Sequence, residues 1–157
     1  MLSAFSEERV EFLVVDAYAL AVHGLPRATG DMDLWVRPTL GNARRVRAAL
    51  ARFGAPIEGL SEADLITPET VFQVGVSPRR IDVLTSIDGV EFDDAWPART
   101  ITRVDGLEIP VVGRTELIRN KKATGARKGS SGRRMARRAR SLGLNTPKRA
   151  PLPAETA

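Results

Sequence analysis

Two aspartates separated by one residue could hold a divalent cation. Asp31 and Asp33 lie in the segment DMDLWV, whose alternation of polar and apolar residues predicts a strand with one buried face. Side chains at positions i and i+2 of a strand point to the same side, with Cα atoms roughly 6.5–7 Å apart. Two carboxylates at that spacing can share one cation or hold two. Pairing with Arg27 or another nearby arginine on a solvated edge is the alternative.

A third acidic residue, Asp82, stands alone among aliphatic residues in the segment RIDVL. A charged residue in such a strand is unusual unless its face of the sheet is polar or functional. If this strand lies beside residues 31–36, three carboxylates converge. Such a set suits Mg²⁺, which can clamp a triphosphate and activate an attacking hydroxyl. A salt bridge to Arg79 or Arg80 at a sheet edge is the alternative.

The elements that must position these aspartates are short strands and helices. Strands are predicted over 11–15, 31–36, 70–76, 79–85, 98–104 and 107–113, and helices over 16–24, 41–54 and 114–125. Ser77-Pro78 and Asp105-Gly106 are turn signals, so the last four strands form two hairpins. The order predicts an α+β domain with a mixed, largely antiparallel sheet and flanking helices.

Composition excludes several classes of protein. A length of 157 residues with 43% hydrophobic residues fits one folded domain. The absence of cysteine excludes disulfides, thiolate metal sites and a cysteine nucleophile. The chain starts with an acidic flank and a short apolar run, and no apolar stretch approaches the roughly 18 residues of a membrane span. We therefore expect a cytoplasmic protein without a membrane partner.

The net charge of +5 conceals an acidic body and a basic tail. Residues 119–149 contain 12 Lys or Arg and no acid, whereas residues 1–118 contain 12 basic and 18 acidic residues. We predict a folded domain over 1–125 and a flexible, low-complexity tail over 126–157. This tail has three alternative interpretations: a nucleic-acid-binding arm, a solvated end without a specific role, or the product of a shifted reading frame.

The segment VVDAYALAVHGLPRATGDMDLWV resembles the opening of the nucleotidyltransferase superfamily, which includes the palm of DNA polymerase beta. Small bacterial proteins of the MNT and AbiEii-like kind are the closest in pattern. These proteins have a strand, two small residues, a short helix, an Arg-x-Thr-x-Asp-h-Asp strand and a later lone Asp. The matching residues are Arg27, Thr29, Asp31, Asp33 and Asp82, and LIRNK at 117–121 resembles a later helix that presents a basic residue. The likeness covers residues 11 to 125.

The resemblance implies a polymerase beta-like fold and a role for each matching residue. Asp31 and Asp33 would hold two Mg²⁺ ions, and Asp82 would complete the second metal site and help to activate the acceptor. Arg27, Thr29 and Lys121 would bind the nucleotide. The implied reaction transfers a nucleoside monophosphate from an NTP to RNA or to a partner protein, in a toxin–antitoxin or phage-defence setting.

The chain departs from the family pattern at two places. Asp16 and Ala17 occupy the nucleotide-binding position of the two small residues, and Asp16 brings a negative charge to where phosphate oxygens would lie. The helix dipole there is worth only ~0.3–1 kcal/mol, so Asp16 could close the site as a helix cap, or it could be a further metal ligand. The basic tail also replaces an acidic last helix. A catalytically inactive binding or antitoxin-like protein is therefore the alternative function.

Overall fold

A computed structural model describes residues 1–26, 28, 30–76 and 78–128. The helices of this part are α1 (Leu2–Glu7), α2 (Asp16–Val22), α3 (Leu40–Phe53), α4 (Glu62–Ile66), α5 (Phe92–Ala95) and α6 (Arg114–Lys128). The strands are β1 (Phe12–Val15), β2 (Met32–Val36), β3 (Val71–Val74), β4 (Ile81–Leu84), β5 (Thr100–Val104) and β6 (Leu107–Val111). All six predicted strands and three predicted helices are present, and the short helices α1, α4 and α5 are additional.

The strands form one mixed sheet in the order β3-β4-β2-β1-β6-β5. The pairs β1–β2, β3–β4 and β5–β6 are antiparallel, and the pairs β2–β4 and β1–β6 are parallel. The α+β prediction with a mixed, largely antiparallel sheet is confirmed. The parallel pairing of β2 with β4 also meets the condition for bringing the aspartates of these two strands together.

The two faces of the sheet differ in character. The packed face carries the buried apolar side chains Phe12, Val14, Leu34, Val36, Phe72 and Val83. On this side the ring of Phe5 in α1 meets Phe12 at 5.2 Å, and α3 packs against α1 and α4. The opposite face, here called the site face, carries Val15, Asp33, Gln73, Asp82 and Leu84. Trp35 is on the same side as Asp33 and is fully buried against Phe92 of α5, so the core continues over one part of the site face and the polar site occupies another part.

Helix α3 begins and ends where its sequence dictates. The Thr39 side chain accepts a hydrogen bond from the backbone of Asn42, which caps the first turn. Gly54 ends the helix at a φ of +89°, in the left-handed conformation that glycine adopts without steric cost. Val46 and Leu50 on the inward stripe are fully buried. The helix therefore supports the packed face and leaves the site face free of its side chains.

Helix α6 runs three residues beyond its predicted end at 125. Arg127 pairs with Asp88 and, at 3.0 Å, with Glu69, so the last turn is anchored to the body. The remaining residues of the predicted tail, 129–157, lie outside the described part of the chain, and the predictions about them are not tested here. No helix in the described part is both long and apolar enough to cross a bilayer.

Candidate functional site

Asp33 and Asp82 face each other across the two central parallel strands. Residue 33 in β2 is in register with residue 82 in β4, so both side chains project from the site face at the usual strand spacing of about 4.8 Å. Asp31 lies just before β2, two residues from Asp33 and therefore on the same side. The three carboxylates predicted to converge are thus placed on one face by the register of β2 and β4.

The positive partner of this acidic group is Arg80, just before β4. Its Nε lies 2.9 Å from Oδ1 of Asp82, and its terminal nitrogen Nη2 lies 3.2 Å from Oδ2 of Asp82 and 3.3 Å from Oδ2 of Asp31. A salt bridge to Arg80 was one of the alternatives that the sequence left open for Asp82. The guanidinium therefore bridges two of the three carboxylates.

The two opposed carboxylates of this site, Asp33 and Asp82, have raised pKa values. Burial, and then the charges of Asp82, Asp16 and Asp31, raise the pKa of Asp33 to about 7, although the Arg80 charge opposes the shift. Burial also raises the pKa of Asp82, against the opposing effects of the Arg80 charge and hydrogen bond. Negative charge is therefore concentrated on the site face beyond what Arg80 neutralises.

Asp16 joins the site because α2 begins at the end of β1. Val15 is in register with Asp33, so the next residue, Asp16, lies at the edge of the acidic group. Its φ of +60° is in the left-handed region, which Asp and Asn tolerate better than most residues do. Lys121 of α6 forms an ion pair with the Asp16 carboxylate. Asp16 thus adopts the backbone conformation that a glycine would adopt at this turn. Its carboxylate pairs with Lys121, the residue predicted to bind phosphate.

The interpretation of Asp16 as a helix cap is wrong. The N-cap position of α2 belongs to Val15, and no side chain makes a capping hydrogen bond there. Asp16 is instead the first helical residue, and its carboxylate pairs with Lys121 across the gap between α2 and α6. The Asp16 carboxylate therefore stabilises α2 only through its charge near the positive end of the helix dipole, and not through a capping hydrogen bond. Ala17 follows it within the first turn.

A cavity of about 360 Å³ opens over the site face. Its floor is made by strand side chains, and one wall is made by α6 together with the segment after β4. The lining residues are Val15, Asp16, Asp33, Val71, Gln73, Asp82, Leu84, Ser86, Ile87, Asp88, Asn120 and Thr124. The volume lies within the range of small-molecule sites. The lining thus combines the carboxylates of Asp16, Asp33 and Asp82 with neutral amides and hydroxyls and with a further carboxylate, that of Asp88.

Two polar residues of the cavity were not predicted from the sequence. Gln73 is in register with Asp82, and its side-chain amide favours the ionised Asp82 carboxylate, which opposes the rise of the Asp82 pKa. Asn120 is buried on α6 and donates to the backbone carbonyl oxygen of Asp88 at 2.9 Å. The signal for Gln73 was present, since it is the single polar residue in the apolar run VFQV. Asn120 gave no comparable signal because it lies among charged residues.

The predicted nucleotide-binding residues are only partly placed. Asp16, Ala17 and Lys121 lie around the start of α2, as described above. Arg27 and Thr29 lie outside the described residues, so their predicted roles are not tested.

The donor chemistry of the site fits a hard divalent cation. The groups available are carboxylate oxygens, and their concentrated negative charge favours a cation among them. In the described part of the chain, however, no three His, Asp or Glu side chains are arranged so that they could hold one ion together. Asp31 and Asp82 are both directed to Arg80. The carboxylates are therefore the kind of ligand that a divalent metal prefers, but in this arrangement two of them pair with Arg80.

The geometry can be compared with known structures. A crystal structure of a “putative nucleotidyltransferase” from Thermotoga maritima superposes with a TM-score of 0.50 over 82% of this chain and 86% of that chain, at 17% sequence identity. The chain has a nucleotidyltransferase-like fold. No protein-family profile matches the sequence, and no curated protein matches it. At 17% identity the likeness establishes the nucleotidyltransferase-like fold and not the roles of individual residues.

Proposed function

We propose that the protein is a metal-dependent nucleotidyltransferase that acts from the site face of its sheet. One observation carries the proposal: Asp33 and Asp82 lie opposite each other on adjacent strands and line a cavity of small-molecule size, and Asp31 is two residues before Asp33. The nucleotidyltransferase-like fold supports the same reaction class. We further propose that the protein is related to MNT or AbiEii-like proteins. Its role would then be in a toxin–antitoxin or phage-defence system.

The three carboxylates would hold Mg²⁺, which would supply charge neutralisation and polarisation of the triphosphate. The acceptor hydroxyl oxygen, from RNA or a protein, attacks the α-phosphorus in line, and the bond to the bridging oxygen breaks to release pyrophosphate. In this proposal Asp82 would also help to activate the acceptor hydroxyl by accepting its proton. Lys121 neutralises phosphate charge after it leaves Asp16.

Ligand-induced stabilisation tests this function. Thermal unfolding is measured with Mg²⁺ and each NTP at millimolar concentration, for the wild type and for Asp31→Asn. A ligand at a hundredfold excess over its Kd stabilises the folded state by about 2.7 kcal/mol, so we expect a rise in Tm that Asp31→Asn removes. Asp105→Asn, in the exposed turn between β5 and β6, is the matched control and keeps the shift. The absence of a shift with all four NTPs would contradict the proposal.

A second function is favoured by the ion pair between Asp16 and Lys121. This pair places a carboxylate at the start of α2 and engages Lys121, so a triphosphate there meets a negative charge and a lysine that is already paired. The protein would then be an inactive member of the fold that binds a partner. The double variant Asp16→Gly, Ala17→Gly separates the two functions. Binding of Mg²⁺-NTP by the double variant alone would identify a decayed site, and binding by the wild type would reject this alternative.

A further inference from the structure

The guanidinium of Arg80 lies where the carboxylates would otherwise require a cation. We propose, on the basis of the nucleotidyltransferase function above, that Arg80 is an internal counter-ion that competes with a divalent metal for Asp31 and Asp82. Metal binding at this site then requires Arg80 to leave both carboxylates.

The position of Arg80 follows from the strand register. Arg80 is two residues before Asp82, so both side chains leave the backbone on the site face. The Met32 amide donates to the Arg80 carbonyl oxygen at 2.9 Å, which aligns residue 80 with the start of β2 beside Asp31. The backbone of the two central strands therefore directs the guanidinium between the two carboxylates.

The contacts of Arg80 use the oxygens that a metal would need. Both oxygens of Asp82 and one oxygen of Asp31 lie 2.9–3.3 Å from guanidinium nitrogens. Mg²⁺ requires oxygen ligands at roughly 2.0–2.1 Å in near-octahedral geometry. An ion at the lone pairs that the guanidinium uses would overlap it, and an ion at the remaining lone pairs would be repelled by its charge, so the two cations compete.

Arg80 can leave because it is not enclosed. One third of its side chain is exposed, which gives the guanidinium access to solvent or to an incoming phosphate. Partly exposed ion pairs each change an equilibrium constant by up to about fivefold. Two such pairs are therefore expected to weaken metal binding by roughly tenfold.

The test measures binding of Mn²⁺ alone, followed by electron paramagnetic resonance of the free ion, to the full-length protein. Arg80→Gln is expected to lower the Kd for Mn²⁺ by roughly tenfold relative to the wild type. Arg80→Lys keeps the charge and loses the planar fork that reaches both carboxylates, so its Kd should be intermediate. Arg79→Gln removes the same charge from an exposed neighbour and is the matched control. Circular dichroism checks that each variant is folded.

The outcomes separate the two proposals. A lower Kd for Mn²⁺ in Arg80→Gln, with an unchanged Kd in Arg79→Gln, supports the competition between Arg80 and the metal. Equal Mn²⁺ affinity in the wild type and Arg80→Gln overturns it and leaves the proposed function standing. If Arg79→Gln lowers the Kd for Mn²⁺ as much as Arg80→Gln does, the competition is also overturned, because the effect would then come from the net charge. Failure of every variant to bind millimolar Mn²⁺, together with no NTP-dependent shift, overturns both.

Discussion

Asp33 lies on the site face beside three other carboxylates, and its pKa is raised to about 7 by burial and by their charges. Below about pH 3 its carboxyl is mostly protonated in both the folded and the unfolded states, so it has little effect on stability. As pH rises towards 7, the unfolded state releases this proton and the folded state retains it. The free energy of unfolding therefore decreases with pH, and the full cost is present above pH 7.

Asp33→Asn removes this cost without changing the shape of the side chain. We expect the variant to be more stable than the wild type by about 1–2 kcal/mol at pH 8, after allowance for solvent screening at this partly exposed site. At pH 3 the two proteins should have nearly equal stability. Urea unfolding at both pH values, in the presence of a chelator, measures the difference. The same change at exposed Asp105 should show no such pH dependence, and a destabilised Asp33→Asn at pH 8 would contradict the assignment.

Asp16 combines a left-handed backbone with an ion pair to Lys121, and two substitutions separate these effects. Asp16→Gly loses the partly exposed pair, worth up to about 1 kcal/mol, and relieves a conformation at φ +60° that glycine adopts freely. Its stability should therefore be within about 0.5 kcal/mol of the wild type. Asp16→Ala loses the pair and keeps the strained Cβ, so we expect a loss of about 1–2 kcal/mol. Chemical unfolding of both variants measures this, and equal destabilisation would show that the backbone strain is negligible.

The packing of α6 against the loop after β4 depends on Gly89. A Cβ at this position would lie 2.6 Å from the Cβ of Ala123 in α6, and the φ of +75° already disfavours any other residue. Gly89→Ala should cost about 2–4 kcal/mol, the sum of backbone strain and overpacking. Because α6 forms one wall of the cavity, the substitution should also weaken the NTP-dependent rise in Tm.

Gly106 provides the matched control for that substitution. It also has a positive φ, +79°, but no atom lies within 4 Å of a Cβ built there. Gly106→Ala should therefore show only the backbone cost of about 1–2 kcal/mol. Thermal unfolding of the two variants separates the clash with α6 from the conformational cost, and equal losses would show that α6 adapts without penalty.

The elements that the sequence predicts are those with a local signal. The hairpin of β5 and β6 was predicted from Asp105-Gly106, and both residues have positive φ as the turn requires. The convergence of Asp33 with Asp82 was conditional, because spacing within one strand says nothing about which strand lies beside it. Short helices such as α5 were missed since four residues give no period, and this helix is held by tertiary contact of Phe92 with Trp35.

At the scale of the whole molecule, the residues that form the core and most of the excess basic residues lie in different parts of the sequence. The buried apolar residues of the described part run from Ala4 to Leu117, and the last anchored side chain named above is Arg127. Residues 129–157 contain seven of the 24 basic residues and one of the 19 acidic residues. Removing them would change the net charge from +5 to −1. The described domain carries its own core and is close to neutral.

Deletion of residues 129–157 should therefore leave the unfolding temperature nearly unchanged and remove affinity for nucleic acid. Each phosphate that a Lys or Arg neutralises contributes about −0.7 to −0.9 to the slope of log K against log salt. Seven basic residues thus allow a slope as steep as about −5 to −6 for the full chain. A fluorescence titration with single-stranded RNA at several salt concentrations measures the slope, and calorimetry measures Tm. If the truncated chain bound RNA with the same slope, the phosphate contacts would lie on the domain, whereas a large fall in Tm would show that the tail contributes to the core.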